Sequence, residues 1–455
     1  MKKTILVAVI GASAWSLQAQ TYEFAVSLPD YQGEVTSSVA YGGQIARHAL
    51  HNSLKKATKS GDLALMEGYF SSKKAGLEIL DPVSKKGFPI KQTQIDQLAT
   101  SKDLLSSAYP GIVTGWPGNL TGQEVLQQMV INAAKSKGGY DPVNGYDYTQ
   151  LISKFTMGAV FYNKAVNDYL DEKLAADVKP NDKPYREGAP YTGKEHVWDE
   201  AFGYFGAPAN GLSLTPREVL QIVKLNPEYL AEADTNQDGV VDLKTEMAFA
   251  HAYYAASIDA SGKTNYFHTI LQAFYDGRSL IQDAKGKALS SAQREELKGY
   301  AKVIADAWQQ VIAEAAFKYA GSVYQDLERL AIIEEANGDV KKTYRNYVKH
   351  WGELKGFALS LQAAGRDLGA VQPQLNRLIG FSPVLFGDAQ VVAANAEGGY
   401  IQSGSIAMQE YKLNMLKVQN LLADNFALSA KLNDKTGGMD DVLKLLQSAP
   451  SAEND

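Results

Sequence analysis

The stretch SSAQREELKGYAKVIADAWQQVIAEAAFKYAGSVYQDLERL, residues 290–330, carries apolar side chains at spacings of three and four. This spacing places them along one face of an α-helix. The stripe consists of Leu297, Ala301, Ile304, Trp308, Val311, Ala315 and Tyr319. Ser290 and Gln293 form a capping pair at its start, because each side chain can bond the backbone N–H of the other. The stretch therefore predicts one long helix.

The same periodicity predicts further helices along the chain. They cover residues 124–134, 151–174, 344–364 and 408–432. Two more helix starts are marked by Thr121 with Glu124 and by Thr215-Pro216-Arg217-Glu218. Strict alternation of apolar and polar residues is scarce, with the best run at residues 22–26. We predict an all-α, multi-helix bundle, with room for two related helical bundles.

The first residues have the three-part layout of a secretory signal peptide. Lys2 and Lys3 precede an apolar stretch at residues 4–10, and small residues follow up to Ala19. We expect cleavage after Ala19 and an exported protein of the periplasm or cell surface. No later stretch approaches the roughly 20 apolar residues that a spanning helix needs, so we expect no transmembrane span.

The net charge of -6 and the lack of cysteine exclude several classes of function. No basic face is available for binding nucleic acid. Without cysteine, the chain has no disulfides, no thiolate metal ligands and no cysteine nucleophile. The 455 residues have room for more than one core.

Residues 234–242, DTNQDGVVD, match the first nine positions of a calcium-binding loop. Side chains at positions one, three and five of such a loop converge on one ion, and Gly239 permits the sharp turn at position six. Val241 is expected to pack between the flanking helices. The pattern resembles the EF-hand loop and predicts bound Ca²⁺. The predicted ligands are Asp234, Asn236, Asp238, Val240, Asp242 and Glu246.

Glu246 is included because the loop departs from the EF-hand pattern at its end. Thr245 replaces the bidentate glutamate expected at position twelve, and Glu246 falls one residue late. Glu246 reaches the ion if the exiting helix begins one residue later, or water fills the gap and weakens the site. The alternative is an acidic turn that joins two helices without metal.

A second candidate metal site lies in residues 193–206, GKEHVWDEAFGYFG. His196 and Glu200 are four residues apart and share one face of a helix. Imidazole with carboxylate suits iron, zinc or manganese. The alternative is a histidine–carboxylate hydrogen bond between packed helices. The predicted ligands are His196, Asp199, Glu200, His350 and Glu353, followed by His251 and His48.

An internal similarity links His196 and His350. Trp198-x-Glu200-x-x-Gly203-aromatic recurs as Trp351-x-Glu353-x-x-Gly356-aromatic. Duplication of a helical bundle would leave such a mark, and so would chance; the sequence leaves both open.

We divide the chain into five parts on these grounds. They are a signal peptide (1–19), an N-terminal helical half (20–225), an EF-hand-like helix–loop–helix (226–256), a C-terminal helical half (257–433) and a flexible tail (434–455).

Four blocks of sequence are distinctive. They are residues 196–206 (HVWDEAFGYFG), the Tyr22-x-Phe24 start, residues 43–47 (GQIAR) and residues 253–259 (YYAASID). Together they resemble the bacterial family called domain of unknown function 4856 (DUF4856), over nearly the whole mature chain. That family in turn resembles imelysins, which are exported helical proteins built from two related bundles and linked to iron acquisition.

Imelysins carry a Gly-x-His-x-x-Glu motif, which this chain matches in part. Two residues separate Gly193 from His196, and Asp199 stands where the motif has glutamate, with Glu200 one step further. The resemblance implies a non-enzymatic protein of iron or other metal acquisition, with Fe or Zn at this site and an outer-membrane or periplasmic uptake partner. Two rivals remain: a metallohydrolase or peptidase of imelysin type, and a calcium-stabilised structural or adhesive module.

Overall fold

The computed structural model describes residues 21–175, 178–363, 367–395 and 397–438. The predicted signal peptide and residues 439–455 of the predicted tail lie outside these ranges. Within the described residues the chain forms thirteen α-helices and two small antiparallel sheets of two strands each. The prediction of a mostly helical, multi-helix fold is confirmed.

The helices follow one another with loops of varied length. In chain order they are α1 (Gly42–Ala57), α2 (Leu63–Phe70), α3 (Gly122–Lys135), α4 (Tyr148–Thr156), α5 (Gly193–Phe205), α6 (Pro216–Val223), α7 (Leu230–Ala233), α8 (Ala250–Asp259), α9 (Tyr266–Asp283), α10 (Ser291–Glu335), α11 (Lys341–Gln362), α12 (Val371–Ile379) and α13 (Met408–Asn425). Helix α4 continues into two wider π-helical segments, Met157–Tyr162 and Lys164–Tyr169. Short 3₁₀ turns occupy Ile95–Gln97, Leu105–Ser107, Glu172–Leu174, Gly211–Ser213 and Pro227–Tyr229.

Both sheets are hairpins on the surface of the helical body. Strand β1 (Tyr140–Asp141) pairs with β2 (Tyr146–Asp147), and β3 (Ala389–Ala394) pairs with β4 (Tyr400–Gly404). Residues 22–26, the best alternating run, make one isolated bridge, between Ala25 and Ser37.

Helix α10 is the central helix of the fold. It runs for 45 residues and begins with the predicted capping box, in which the Ser290 hydroxyl accepts from the N–H of Gln293 and the Gln293 side chain accepts from the N–H of Ser290. The predicted apolar stripe is buried from Leu297 to Ala315. Helices α8, α9, α11 and α13 all pack on α10.

One continuous hydrophobic core extends from Tyr22 to Ala430. The predicted boundary after residue 256 falls inside α8. In the part of the chain that the structure describes, no helix is both long enough and apolar enough to cross a membrane.

Candidate metal sites

The predicted calcium loop is a tight turn shaped by its own acidic side chains. Asp234 Oδ1 accepts a hydrogen bond from the N–H of Asp238 at 3.1 Å, and Oδ2 accepts one from the N–H of Gly239 at 2.9 Å. Asn236 Oδ1 also accepts from the N–H of Asp238, at 2.9 Å. The φ angle of Gly239 is +85°, a conformation that glycine adopts without strain. The predicted turn is therefore formed, with Asp234 and Asn236 directed toward its backbone.

Glu246 lies under the loop and joins its two arms. It is 1% exposed. Its Oε1 accepts from the N–H of Thr235 at 2.9 Å, and its Oε2 accepts from the N–H of Asp242 at 2.7 Å. The exiting helix does not begin one residue late: residues 243–249 form turns and extended backbone, and α8 begins at Ala250. Glu246 reaches the loop through a turn instead.

Val241 is fully buried, but it pairs with a neighbouring extended segment. Its N–H donates to Pro89 O at 2.9 Å, and its carbonyl accepts from the N–H of Lys91 at 3.0 Å. This pairing brings Lys91 Nζ to 3.2 Å from Asp242 and 3.8 Å from Asp238. The hydrogen bond to Asp242 raises the pKa of Lys91. The ammonium group of Lys91 therefore occupies the outer side of the loop, where a calcium ion would compete with it.

The second candidate site is divided between two faces of α5. Asp199 turns toward α9, where its Oδ1 accepts from Arg278 Nε and from the Tyr22 hydroxyl, both at 2.9 Å. Glu195 shares the same guanidinium, with Oε1 3.2 Å from Nη1. Burial raises the pKa of Asp199 to about 6, against the opposing effect of Arg278. Asp199 belongs to a buried ion-pair network, which sequence reasoning missed; its only signal was two acidic residues four apart in α5.

His196 and Glu200 lie together on the opposite face of α5. Their spacing predicted that they share one face of the helix. Their Nε2 and Oε1 atoms are 3.7 Å apart. The His196 ring packs between the rings of Tyr191 and Tyr185, at centroid distances of 4.5 and 4.2 Å. Its Nδ1 is buried without a hydrogen-bond partner, and burial lowers its pKa against the pull of Glu200. This pair is the part of the predicted transition-metal site that the structure brings together.

The remaining predicted ligands have other partners. His350 Nδ1 lies 2.6 Å from Asp326 Oδ2, and Glu353 Oε1 lies 4.0 Å from Lys154 Nζ. Across the described residues, no three His, Asp or Glu side chains stand together in an arrangement that could hold a metal ion. The five predicted ligands of the transition-metal site are therefore not assembled, and Asp238 and Asp242 would have to turn inward to bind calcium.

The two tryptophan motifs serve the same packing role on different helices. Trp198 and Trp351 are both fully buried. In each motif the glycine faces a partner helix: a Cβ on Gly203 would lie 2.9 Å from Gln44 Cβ on α1, and one on Gly356 would lie 2.5 Å from Lys154 Cβ on α4. In each motif the glutamate contacts the residue that the motif glycine faces. Gln44 Nε2 donates to Glu200 at 2.9 Å, and Lys154 Nζ lies 4.0 Å from Glu353.

His48 and His251, the last of the predicted ligands, are buried in the core. His48 Nε2 lies 3.0 Å from Gly203 O, and its Nδ1 has no partner. Neither ring nitrogen of His251 has one. His51, one turn from His48, is buried in the same way, with Nε2 2.9 Å from Ser153 O. Burial lowers the pKa of all three imidazoles.

Residues 127–346 match the model of the family described as domain of unknown function DUF4856. The match includes α5, the predicted calcium loop and α10, but it does not reach the blocks at residues 22–24 and 43–47. The likeness is therefore shorter than the sequence blocks predict. Comparisons with curated proteins and with solved structures found no match.

Proposed function

We propose that this chain is an exported, non-enzymatic metal-binding protein that takes part in the acquisition of iron or another metal and is stabilised by Ca²⁺ in its 234–246 loop. Export is supported by the charged, apolar and small-residue layout of residues 1–19. Metal acquisition is supported by the partial likeness to imelysins.

The loop geometry is the observation that carries the proposal. Its acidic and amide side chains supply the oxygen ligands that Ca²⁺ prefers. Asp234 and Asn236 already face the turn, and Glu246 lies beneath it. The carboxylates bring four negative charges within thirteen residues, and a divalent cation would offset their repulsion.

The ammonium group of Lys91 would compete with Ca²⁺ for the carboxylates of Asp238 and Asp242. Its side chain is 47% exposed, so its pairing with Asp242 contributes little stability and is easily exchanged for water. Calcium binding at the loop therefore requires a small movement: Lys91 turns outward, and Asp238 and Asp242 turn in.

His196 and Glu200 are the best-supported transition-metal ligands. They are adjacent, and the buried Nδ1 of His196 has no partner. An imidazole and a carboxylate suit iron, zinc or manganese, and further ligands would come from water or a partner protein. We assign the pair to metal handling.

Calorimetric titration of calcium into the purified protein tests the calcium part. The unmutated protein is expected to bind one ion, and Asp234→Ala/Asp238→Ala is expected to abolish this binding. Asp30→Ala, at an exposed aspartate outside the loop, serves as the control and should bind normally. Absence of binding by the unmutated protein overturns the calcium assignment.

Elemental analysis after incubation with iron, zinc or manganese tests the second part. His196→Ala should lose the transition metal and keep its calcium. Equal transition-metal content in both proteins would remove His196 from the proposal.

A further inference from the structure

A cluster of charged side chains lies between α4 and α11, outside both candidate metal sites. At its centre Lys154 Nζ stands 4.0 Å from Glu353 Oε1, with the two side chains 4% and 8% exposed. The helices approach closely here because Gly356 faces Lys154. Glu353 belongs to the second tryptophan motif, and it is not part of either candidate metal site described above.

Lysines from two further places face this pair. Lys318 on α10 lies with Nζ 5.5 Å from the ring centroid of Tyr319, and its charge interacts with both Lys154 and Glu353. Lys349 is four residues before Glu353 on α11, and therefore on the same face of that helix.

Lys55 on α1 completes the group. Helices α1 and α4 run antiparallel, as shown by contacts of His51 with Ser153 at 2.9 Å and of Thr58 with Thr149 at 2.8 Å. Lys55 is one turn beyond His51, on the side of α1 that packs against α4, and the charge of Lys154 acts on it. Repulsion from Lys154, ahead of burial, lowers the pKa of Lys55 to about 7.

Nearby carboxylates other than Glu353 are paired elsewhere. Asp147 lies 2.8 Å from Arg345, and Asp81 lies 3.5 Å from Lys56. Four lysines therefore face one carboxylate in a mostly buried place, and positive charge is in excess there whenever these lysines are protonated. Such an excess is stabilised by a bound anion.

Hydroxyl donors stand beside the lysines. The hydroxyls of Tyr254 and Tyr319 are 3.5 Å apart, and the Tyr254 ring centroid lies 5.3 Å from Lys154 Nζ. Ammonium groups together with hydroxyls are the donors that proteins use for phosphate.

We infer that this cluster binds the phosphate group of a small ligand, held by Lys55, Lys154, Lys318 and Lys349 with the tyrosine hydroxyls. The group is either free inorganic phosphate or part of a phosphomonoester, since both present the same dianion. This inference does not depend on either metal site.

Titration calorimetry at pH 7 and constant ionic strength tests it, with inorganic phosphate and glycerol 1-phosphate as probes. The unmutated protein should show one saturable site, and Lys55→Met/Lys318→Met should weaken it at least tenfold. Lys59→Met/Lys86→Met, which removes two exposed lysines outside the cluster, should leave affinity within twofold. Equal affinity in both double variants, or no saturable binding by the unmutated protein, overturns the inference.

Glu353→Gln supplies a test of opposite sign. It removes the negative charge of the cluster's one carboxylate with little change of shape, so phosphate affinity should rise at least threefold. A damaged fold would instead weaken binding, and unchanged or weaker binding counts against the site. Binding of glycerol 1-phosphate at least as tightly as inorganic phosphate assigns a phosphomonoester, and the reverse assigns the free ion. Citrate binding as tightly as either probe overturns the phosphate assignment.

Discussion

Arg278 Nε lies 2.9 Å from Asp199 Oδ1, and both side chains are completely buried. This ion pair fixes which way α5 faces. Asp199 and Glu195 turn toward α9, so that His196 and Glu200 are left on the opposite face beside Tyr191. Asp199, a predicted metal ligand, is therefore part of a buried ion pair, and the candidate metal ligands of α5 are reduced to His196 and Glu200.

Arg278→Met should destabilise the protein strongly. It leaves Asp199 and Glu195 buried without their cation, and the loss of one partner from a buried ion pair costs about 3–5 kcal/mol. Urea unfolding at pH 7 measures the change, with exposed Arg377→Met as the matched control. Adding Asp199→Asn to Arg278→Met should recover part of the loss. A drop below 1 kcal/mol would show that the network contributes little.

Stability should fall as the pH falls below about 6.5. Burial lowers the pKa of His48 and His51 to about 3 and that of His251 in the same direction. Because the unfolded imidazoles titrate near 6.5, the unfolded state takes up protons first. Their contribution is complete above pH 6.5 and is lost between about 6.5 and 3, at up to about 1.4 kcal/mol per histidine per pH unit.

Urea unfolding at several pH values between 7 and 4 measures this slope. His251→Leu should reduce it by about 1.4 kcal/mol per pH unit, because one proton uptake disappears. A slope identical to that of the unmutated protein would mean that His251 already accepts its proton in the folded state.

Substituting alanine for two helical glycines should change the stability of the protein in opposite directions. A methyl group at Gly277 in α9 would overlap the indole of the buried Trp198, whereas nothing lies within 4 Å of the position at Gly299 in α10. Gly277→Ala should cost about 1–3 kcal/mol through overpacking. Gly299→Ala should gain up to about 1 kcal/mol in helix propensity. Thermal unfolding of both variants checks the sign, and a stabilised Gly277→Ala would contradict the packing described for Trp198.

Lys91→Met should strengthen calcium binding. The variant removes the cation that stands 3.2 Å from Asp242 and competes for the loop. An exposed ion pair is worth about 0.2–1 kcal/mol, so affinity should rise by no more than about fivefold. Calcium titration of the variant measures it; weaker binding would place the ion away from Asp238 and Asp242.

Helices α3, α10 and α11 were predicted because their signals are local. The helix predicted over 151–174 is α-helical only to Thr156 and continues as π-helix to Tyr169, and the helix predicted over 408–432 ends at Asn425. The Ser290 cap gives the start of α10 to the residue, and the stripe from Leu297 to Tyr319 gives its direction, but the helix ends at Glu335, five residues beyond the predicted end at Leu330. The hairpin of Ala389–Ala394 with Tyr400–Gly404 was not predicted, because its strands are largely exposed and lack the alternation of a half-buried sheet.

The candidate sites were predictable only where their ligands are near in sequence. The turn at Asp234 and Gly239 and the pairing of His196 with Glu200 follow from spacing alone. The partners of Asp199 and Glu353 do not, since Arg278 and Lys154 come from helices 79 and 199 residues away. Which acidic residue of α5 faces the core is decided by that distant arginine.

Thermal unfolding of the mature protein with calcium and with a chelator tests the central proposal most directly. A ligand stabilises the state that it binds, so calcium should raise the melting temperature of the unmutated protein and leave that of Asp234→Ala/Asp238→Ala unchanged. Equal melting of the unmutated protein in calcium and in chelator would contradict the calcium site.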